Sequence, residues 1–541
     1  MDLESFIARL RGGENAQFPA EATSLAFAQA LDGQDGLRGL RDEFILPTRG
    51  SRKKRRLDGK MPEQTPSTAE TVHVSRDDDG VADERQALYF VGNSLGAQPR
   101  AVRRYIDAHL ETWASLGVYG HFTDLEASPL VQWQDMADMC ARQSASLVGA
   151  RAHEVVVMNT LTVNLHVLMA AFYRPTAQRY KVILEARPFP SDHYAIESHV
   201  SWRGFDAKDA MVHICPDDGS EAGGVISTER ILKLIDDHAH DAALILLPGI
   251  QYYSGQLFDM ALITAHAHKR GLVVGWDLAH AAGNVELRLH DWDVDFACWC
   301  TYKYMNAGPG AISGAFVHER HGGVCWTTQP DDASPADKDP ADAKRAKPNV
   351  TVTNGSHPLE SGPFGHGRPS YMPRLAGWYG GDKRVRFAMD TLYVPTPGAS
   401  GFQLSNPSAL DLAALSGALS VFDQTSMRAL RDKSLVLTAY AEHLLLQMLR
   451  DDGNTAASPL FRIITPSDPA QRGCQLSVLL RHDALLDPVS EALERAGAFC
   501  DRRRPGVLRV APVPLYCSFT DVWRFLRVLR GALGLTADAV A

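Results

Sequence analysis

The sequence has no uninterrupted apolar run of the roughly 18 residues that a membrane-spanning helix requires, so no transmembrane segment is expected. It has no surplus of positive charge either. Its 55 Lys and Arg stand against 64 Asp and Glu, and a formal net charge of −9 gives no reason to expect nucleic acid as a partner. It has no CxxC pair and no regular cysteine framework. Eight cysteines (Cys140, Cys215, Cys298, Cys300, Cys325, Cys474, Cys500 and Cys517) are scattered through 541 residues and read as reduced, mostly buried thiols of an intracellular chain. Cys298 and Cys300 would share one face of a strand, where core packing is expected rather than metal or redox chemistry, and no metal centre is expected anywhere. The chain opens on Met1-Asp2-Leu3-Glu4, acidic and without an apolar stretch behind it, so a secretory leader is not expected and a cytoplasmic location is. No internal repeat is visible. What remains is an ordinary soluble globular composition, 45% apolar and 22% charged, long enough for about two to four domains.

Composition changes divide the chain. Residues 1–47 carry two helical stretches and are expected to form an N-terminal helical arm. Residues 48–85 hold the basic run Arg52-Lys53-Lys54-Arg55-Arg56, then Pro, Ser and Thr, then Asp77-Asp78-Asp79, which reads as a flexible insertion. The basic run also fits a nuclear-localisation signal, but a solvated loop with offsetting ends explains it as well. Residues 86–400 alternate helical patterns with the apolar runs Glu154–Met158, Tyr180–Leu184, Ala243–Leu247, Gly271–Trp276 and Asp295–Cys300. Runs of this kind are strands buried on both faces, and their alternation with helices predicts an α/β fold with a mainly parallel sheet. An irregular stretch at about 327–370, rich in Pro, Asp, Lys, Gly and Ser, predicts a long surface loop. Its sequons at Asn349 and Asn354 carry little weight without a leader. Residues 401–541 begin strongly helical through 408–450. From 460 they mix short strands with a last helix from about Thr520, which predicts a smaller α+β domain.

The chemistry concentrates after the predicted strands. Asp277, in Trp276-Asp277-Leu278-Ala279-His280, follows one of them, so its carboxylate is expected at the carboxyl end of the sheet, where open α/β folds bind ligands. A buried carboxylate needs a cationic partner, and a protonated pyridine nitrogen is one. Lys303, in Thr301-Tyr302-Lys303-Tyr304, follows another apolar run, and a desolvated lysine there can act as an amine nucleophile. A pyridinium carboxylate paired with a Schiff-base lysine is the signature of pyridoxal phosphate. The alternative reading is a structural ion pair. Phosphate donors are available at Met158-Asn159-Thr160-Leu161-Thr162-Val163-Asn164, which opens a helix after a strand. A second set is Tyr252-Tyr253-Ser254-Gly255-Gln256. Phe189, in Phe189-Pro190-Ser191-Asp192-His193, is placed to stack on a ring or else to pack in a turn.

These segments, with Gly92-Asn93-Ser94-Leu95-Gly96, Gly377-Trp378, Ser405-Asn406-Pro407 and Arg509-Val510-Ala511-Pro512-Val513-Pro514-Leu515-Tyr516, resemble the kynureninases in the same order from about residue 85 to 530. The resemblance fades in 48–85 and 327–370. It implies the aminotransferase-like fold of pyridoxal-phosphate enzymes, a homodimer with active sites at the subunit interface, and pyridoxal 5'-phosphate held as a Schiff base on Lys303. Leu161, Thr162, Phe189, Ser191, Asp192, Asp277, His280 and Tyr302 match cofactor contacts, with Asp277 on the pyridine nitrogen. Tyr253 matches a phosphate-contacting tyrosine that assists proton transfer. Trp378 and Asn406 match contacts made near the dimer interface. Ser94, His121 and Asn406 fall where the family meets the substrate's aromatic ring, and Arg509 matches the arginine that clamps the α-carboxylate. Pro248 departs from the serine of some members and offers no side-chain or N–H donor, so it stands only as a contact. The implied reaction is hydrolysis of L-kynurenine or L-3-hydroxykynurenine to alanine and an anthranilate, within tryptophan catabolism and NAD biosynthesis. Two rivals are a desulfurase or aminotransferase of the same fold and a scaffold without activity. The first needs a mobile reactive cysteine, which the sequence does not display. The second has no use for Lys303, Asp277 and Arg509.

Overall fold

The computed structural model describes residues 2–15, 17–62, 85–219, 224–328, 367–389, 391–451 and 459–535. Its centre is a seven-stranded sheet in the order Val155–Met158, Ser313–Val317, Phe296–Trp299, Val273–Asp277, Ala242–Pro248, Lys181–Glu185, Met211–Ile214. The last five of these pair in parallel. Ser313–Val317 runs antiparallel to both of its neighbours. The five predicted strands are all present, within a residue or two at their ends.

Side chains along these strands alternate between two apolar layers, as a period of two demands. Ile183, Ile245, Leu247, Val274, Trp276 and Trp299 face one layer with Met136, Ile263 and Ala267. Val182, Leu184, Leu244, Leu246, Phe296 and Cys298 face the other with Leu165, Leu168, Phe172 and Ile196. The helices Leu161–Phe172 and Pro190–Trp202 therefore cover one face, and Trp133–Val148 and Met260–Lys269 the other. Neighbouring strands interlock by size. Gly275 lies opposite Phe296 and Gly314 opposite Trp299, and a Cβ on either glycine would run into the facing ring.

Two strands escape an apolar-run criterion. Met211–Ile214 is an edge strand with an exposed His213. Ser313–Val317 opens with Ser, Gly and Ala, and Gly314 leaves room for the Trp299 ring that packs against it.

The second sheet has five strands: Phe461–Ile463, Leu476–Leu480, Val507–Val510, Ala498–Arg503 and, from the other end of the sequence, Leu88–Phe90. Leu88–Phe90 pairs in parallel with Ala498–Arg503. Leu88–Phe90, just after the expected boundary at 86, thus pairs with the C-terminal sheet rather than the large one. The helices Ala409–Phe422 and Met427–Asp451 precede this unit, and Phe519–Ala532 closes it with a Ser518/Asp521 capping box.

The N-terminal helices Leu3–Arg11 and Leu25–Gln34 lie on the same unit. Arg11 pairs with Glu286 and Asp432, and Asp32 accepts the N–H groups of Phe519 and Thr520 at the start of the last helix.

Within the predicted insertion, Arg52 is anchored. It pairs with Glu494 at 3.0 Å and lies over the Phe499 ring, because Ser51–Lys53 forms a short helical turn beside them. Residues 63–84 lie outside the described residues, as do 329–366 with both sequons. Val324–Thr328 and Gly367–Tyr371 pair as an antiparallel ribbon on either side of the latter. No helix among the described residues is long and apolar enough to cross a membrane.

The glycine–aromatic interlock predicts that Gly275→Ala destabilises the fold by about 1–3 kcal/mol, the range for forcing extra volume into a packed interior. An unchanged urea midpoint in the variant would show that the Phe296 ring gives way freely.

Candidate active site

The parallel strands end on one edge of the large sheet, and the residues at their ends meet there. Asp277 is the last residue of its strand, Pro248 of its own and Glu185 of the next. Asp277 is buried, and its Oδ1 accepts the Ala279 N–H at 2.7 Å. Val155–Met158 passes into the helix Leu161–Phe172 through Asn159, whose positive φ of 46° turns the chain sharply. The turn is pinned by side-chain amides. Asn159 donates to Asn164 Oδ1 at 3.1 Å, and Asn164 donates to the Met158 carbonyl at 2.9 Å.

Thr160 makes no capping bond, so the first-turn N–H groups of Leu161 and Thr162 are left without helical partners. The Thr162 and Ser191 hydroxyls, from the first turns of two helices, lie 2.7 Å apart.

A cavity of about 240 Å³ lies between these parts. It brings together Leu161, Thr162, Phe189, Ser191, Asp192, Pro248, Asp277, His280, Tyr302 and Lys303. It also includes Thr160 and Tyr252, from the two segments expected to offer phosphate donors, and Glu185, Ile250, Ala279 and Gly310, which carried no signal in the sequence. Lys303 Nζ lies 6.0 Å from the centroid of the Phe189 ring and 5.8 Å from that of Tyr302.

Burial sets the charges. Asp192 is pushed well above the usual carboxylate range, first by desolvation and then by the charge of Asp277 and a hydrogen bond to it. Glu185 is pushed up to about 8, again by desolvation first and then by Asp277. Desolvation, helped by Lys303 and Arg509, holds His280 well below the usual histidine range and keeps it neutral.

The cavity fits pyridoxal phosphate. Two buried polar atoms on its wall, Asp192 Oδ1 and His280 Nδ1, have no partner among the described residues. A carboxylate, an amine, an aromatic ring and an anion cradle with two hydroxyls and two helix starts surround one small space.

Other expected site residues lie elsewhere. Tyr253 turns away from the cavity. Its hydroxyl donates to the Pro505 carbonyl at 2.8 Å, and its ring packs with Ile464 and Val507. Tyr252 takes the wall position instead. The cause is the tight turn at Gly255, with φ of 78°, in which Gln251 Oε1 accepts the N–H groups of Tyr253 and Ser254 and sends consecutive side chains apart. Arg509 is fully buried. It pairs with Asp501 and donates to the Tyr252 carbonyl. Ser94, His121, Trp378 and Asn406 do not line the cavity. His121 and Trp378 instead belong to one surface. His121 meets Phe122, Phe122 meets Phe387 and Phe387 meets Trp378, at ring separations of 5.9, 5.8 and 5.4 Å.

Outside the cavity, Glu154, His290 and His318 bring ligand atoms within 4.8 Å of one another. Glu154 there already accepts the Arg151 and Glu319 N–H groups and meets His290 at 2.9 Å.

Similarity to known proteins settles the family. Kynureninase 1 of Neurospora crassa is 54% identical across 98% of this chain and 99% of that protein. The chain belongs to the kynureninase family. A kynureninase of Pyricularia oryzae is 52% identical across 96% of each chain. The model of the kynureninase C-terminal domain matches residues 430–529, and that of aminotransferase class-V matches residues 130–322.

Two solved structures share the fold. One is a C-DES variant with glycine covalently linked to its PLP cofactor, with a TM-score of 0.57 and 14% identity over 82% of this chain and 96% of that one. The other is a cysteine desulfurase from Thermococcus onnurineus, with a TM-score of 0.55 and 14% identity over 83% and 95%. As a member of the kynureninase family with this fold, the chain is a pyridoxal-phosphate-dependent hydrolase of carbon–carbon bonds.

The raised Glu185 carboxyl has a measurable consequence. Between its unfolded value near 4.3 and its folded value of about 8, the folded state holds a proton that the unfolded state has lost, so stability falls as pH rises through that window. Glu185→Gln removes this dependence. In thermal unfolding of the cofactor-free protein, the variant is expected to gain a few degrees on the native chain at about pH 8 relative to about pH 5. A gap that stays constant with pH would contradict a protonated Glu185.

Proposed function

We propose that the chain hydrolyses the Cβ–Cγ bond of L-kynurenine and L-3-hydroxykynurenine, giving L-alanine and anthranilate or 3-hydroxyanthranilate, in tryptophan catabolism and NAD biosynthesis. The observation that carries the reading is that Lys303 and Asp277 face one buried cavity in a chain of this family. Bound pyridoxal phosphate supplies an electron sink for negative charge at the substrate's Cα and then at Cβ.

The chain does the rest. Lys303 anchors the cofactor and, once displaced, takes and returns protons at the substrate's Cα. Asp277 holds a proton on the pyridine nitrogen, since a carboxylate in a dry site favours the cation beside it. Phe189 covers one ring face. Leu161, Thr162 and Ser191 offer N–H and hydroxyl donors to the phosphate. Asp192, Tyr302, His280 and Pro248 complete the contacts. Arg509 receives the α-carboxylate, and a paired contact fixes the substrate's orientation. The family's proton-transfer tyrosine matches Tyr253, but with the Tyr253 hydroxyl held by the Pro505 carbonyl, Tyr252 is the tyrosine on the cavity wall.

Ser94, His121 and Asn406 meet the aromatic ring, and Trp378 and Asn406 approach from a second copy of the chain in a homodimer. An exposed aromatic surface supports this. Tyr119, Phe122, Phe387 and Trp378 are 71, 57, 50 and 44% exposed in the isolated chain, and patches of this kind mark interaction sites. The eight free thiols support a reducing, cytoplasmic compartment.

A desulfurase reading finds no support in the cavity. No cysteine lines it, and burial holds Cys298 and Cys300, on the adjoining strand, above the ordinary thiol range.

Lys303→Ala is expected to abolish turnover and leave no cofactor that borohydride can fix to the protein. Asp277→Asn is expected to lower kcat by orders of magnitude while the cofactor remains bound. Normal turnover in either variant contradicts the assigned roles.

Substrate preference tests the aromatic end. Polar side chains that pair with the ring hydroxyl penalise the substrate that lacks it, so kcat/KM is expected to be higher for 3-hydroxykynurenine than for kynurenine. Replacing His121 and Asn406 together with apolar residues is expected to narrow or reverse the ratio. A ratio unmoved by the double variant assigns the hydroxyl to other residues.

A further inference from the structure

The strands Ala498–Arg503 and Val507–Val510 form an antiparallel pair in which Asp501 stands directly opposite Arg509. Directly opposed residues share a face and sit within side-chain reach. Arg509 is 1% exposed, so its charge must be compensated from within the fold. Asp501 does this from one edge. Its Oδ1 accepts Arg509 Nε at 3.0 Å and meets Nη2 at 2.8 Å. Arg509 Nη1 donates to the carbonyl of Tyr252, a residue of the cavity wall, at 2.8 Å.

A guanidinium carries five N–H donors. Two hydrogen bonds and the Nη2 ion-pair contact engage one N–H on each nitrogen, which leaves one on each terminal nitrogen, the pair that a carboxylate takes in a two-point contact.

Asp501 serves a second cation as well. Arg503 lies two residues after Asp501 on the same face, at the end of the strand, with Nε 3.0 Å from Oδ1 and Nη2 3.2 Å from Oδ2. Two guanidiniums share one carboxylate, and the group is one negative charge short of neutral. Both arginines act electrostatically on His280 and on Tyr252, which line the cavity.

We propose that Asp501 is a positioning residue for substrate recognition. By gripping one edge of Arg509 and bridging it to Arg503, it turns the free pair of Arg509 donors toward the substrate and leaves one uncompensated positive charge for the α-carboxylate, with Arg503 as the outer half of that charge. The inference rests on the assignment of Arg509 to the α-carboxylate. It adds that the arginine works only as part of an Arg503–Asp501–Arg509 unit.

Two small ligands separate the carboxylate from everything else. L-alanine has the α-carboxylate and ethylamine lacks it, and the binding of each to the holoenzyme is read from the cofactor's absorbance. Asp501→Asn keeps the size and one acceptor while removing the charge. It is expected to weaken alanine by about tenfold or more, leave ethylamine unchanged, and raise KM for kynurenine more than it lowers kcat. On an Arg509→Ala background the same change is expected to add little, because the residue it positions is gone. Arg503→Gln, at a half-exposed position that the fold tolerates, is expected to weaken alanine several-fold with an unchanged melting temperature.

An alanine-to-ethylamine affinity ratio that is unmoved by Asp501→Asn and by Arg503→Gln, with Asp501→Asn costing only stability, overturns the proposal. Additive losses in the double variant overturn it as well. If Arg509→Ala itself leaves the ratio unchanged, the underlying assignment of Arg509 fails, and the proposal falls with it.

Discussion

A carboxylate placed at the inner end of a buried strand is costly unless a cation meets it there, and Asp277 is such a carboxylate. Much of the site can be understood as the means of meeting that demand. The parallel strands bring their ends to one edge, so Asp277 arrives beside Pro248 and within the field of Glu185. Crowding carboxyls in a dry cavity pushes Asp192 and Glu185 above the usual carboxylate range, through desolvation first and the neighbouring Asp277 next. The same dryness keeps His280 neutral and gives the small number of polar groups in the cavity their reach.

The parts legible in the sequence were those with a local cause. Five strands announced themselves as apolar runs because both of their faces are buried, and Asp277 and Lys303 followed from their position after such runs. The fold of the site followed from motif order. What was not legible depends on geometry that no run of residues reports. Tyr252 and Tyr253 are neighbours of the same type, and only the turn at Gly255 decides which one faces the cavity. Glu185 gave no signal in the sequence, and its proximity to Asp277 arises across the intervening strand Ala242–Pro248. Asp501 pairs with Arg509 through strand register, which sequence spacing alone does not fix.

Ser94, His121, Trp378 and Asn406 were grouped by resemblance, and within one chain they do not converge on the cavity. Two of them, His121 and Trp378, are joined instead by the contacts that run through Phe122 and Phe387 on the surface. The rigid interior thus holds the residues that line the cavity, while those the resemblance assigns to the aromatic part of the substrate sit outside it. Loops and turns on a packed scaffold are where such residues usually lie.

The strand Leu88–Phe90 finds its partner in Ala498–Arg503, close to the other end of the chain. A ribosome releases the two about four hundred residues apart, so the second sheet has to wait until synthesis is nearly finished. Gly96 donates its N–H to the Tyr302 carbonyl beside the cofactor lysine, and the approach is so close that any side chain at Gly96 would strike the Lys303 backbone. Gly96 therefore packs against the backbone of Lys303 from a segment whose preceding strand is tied to the far end of the chain.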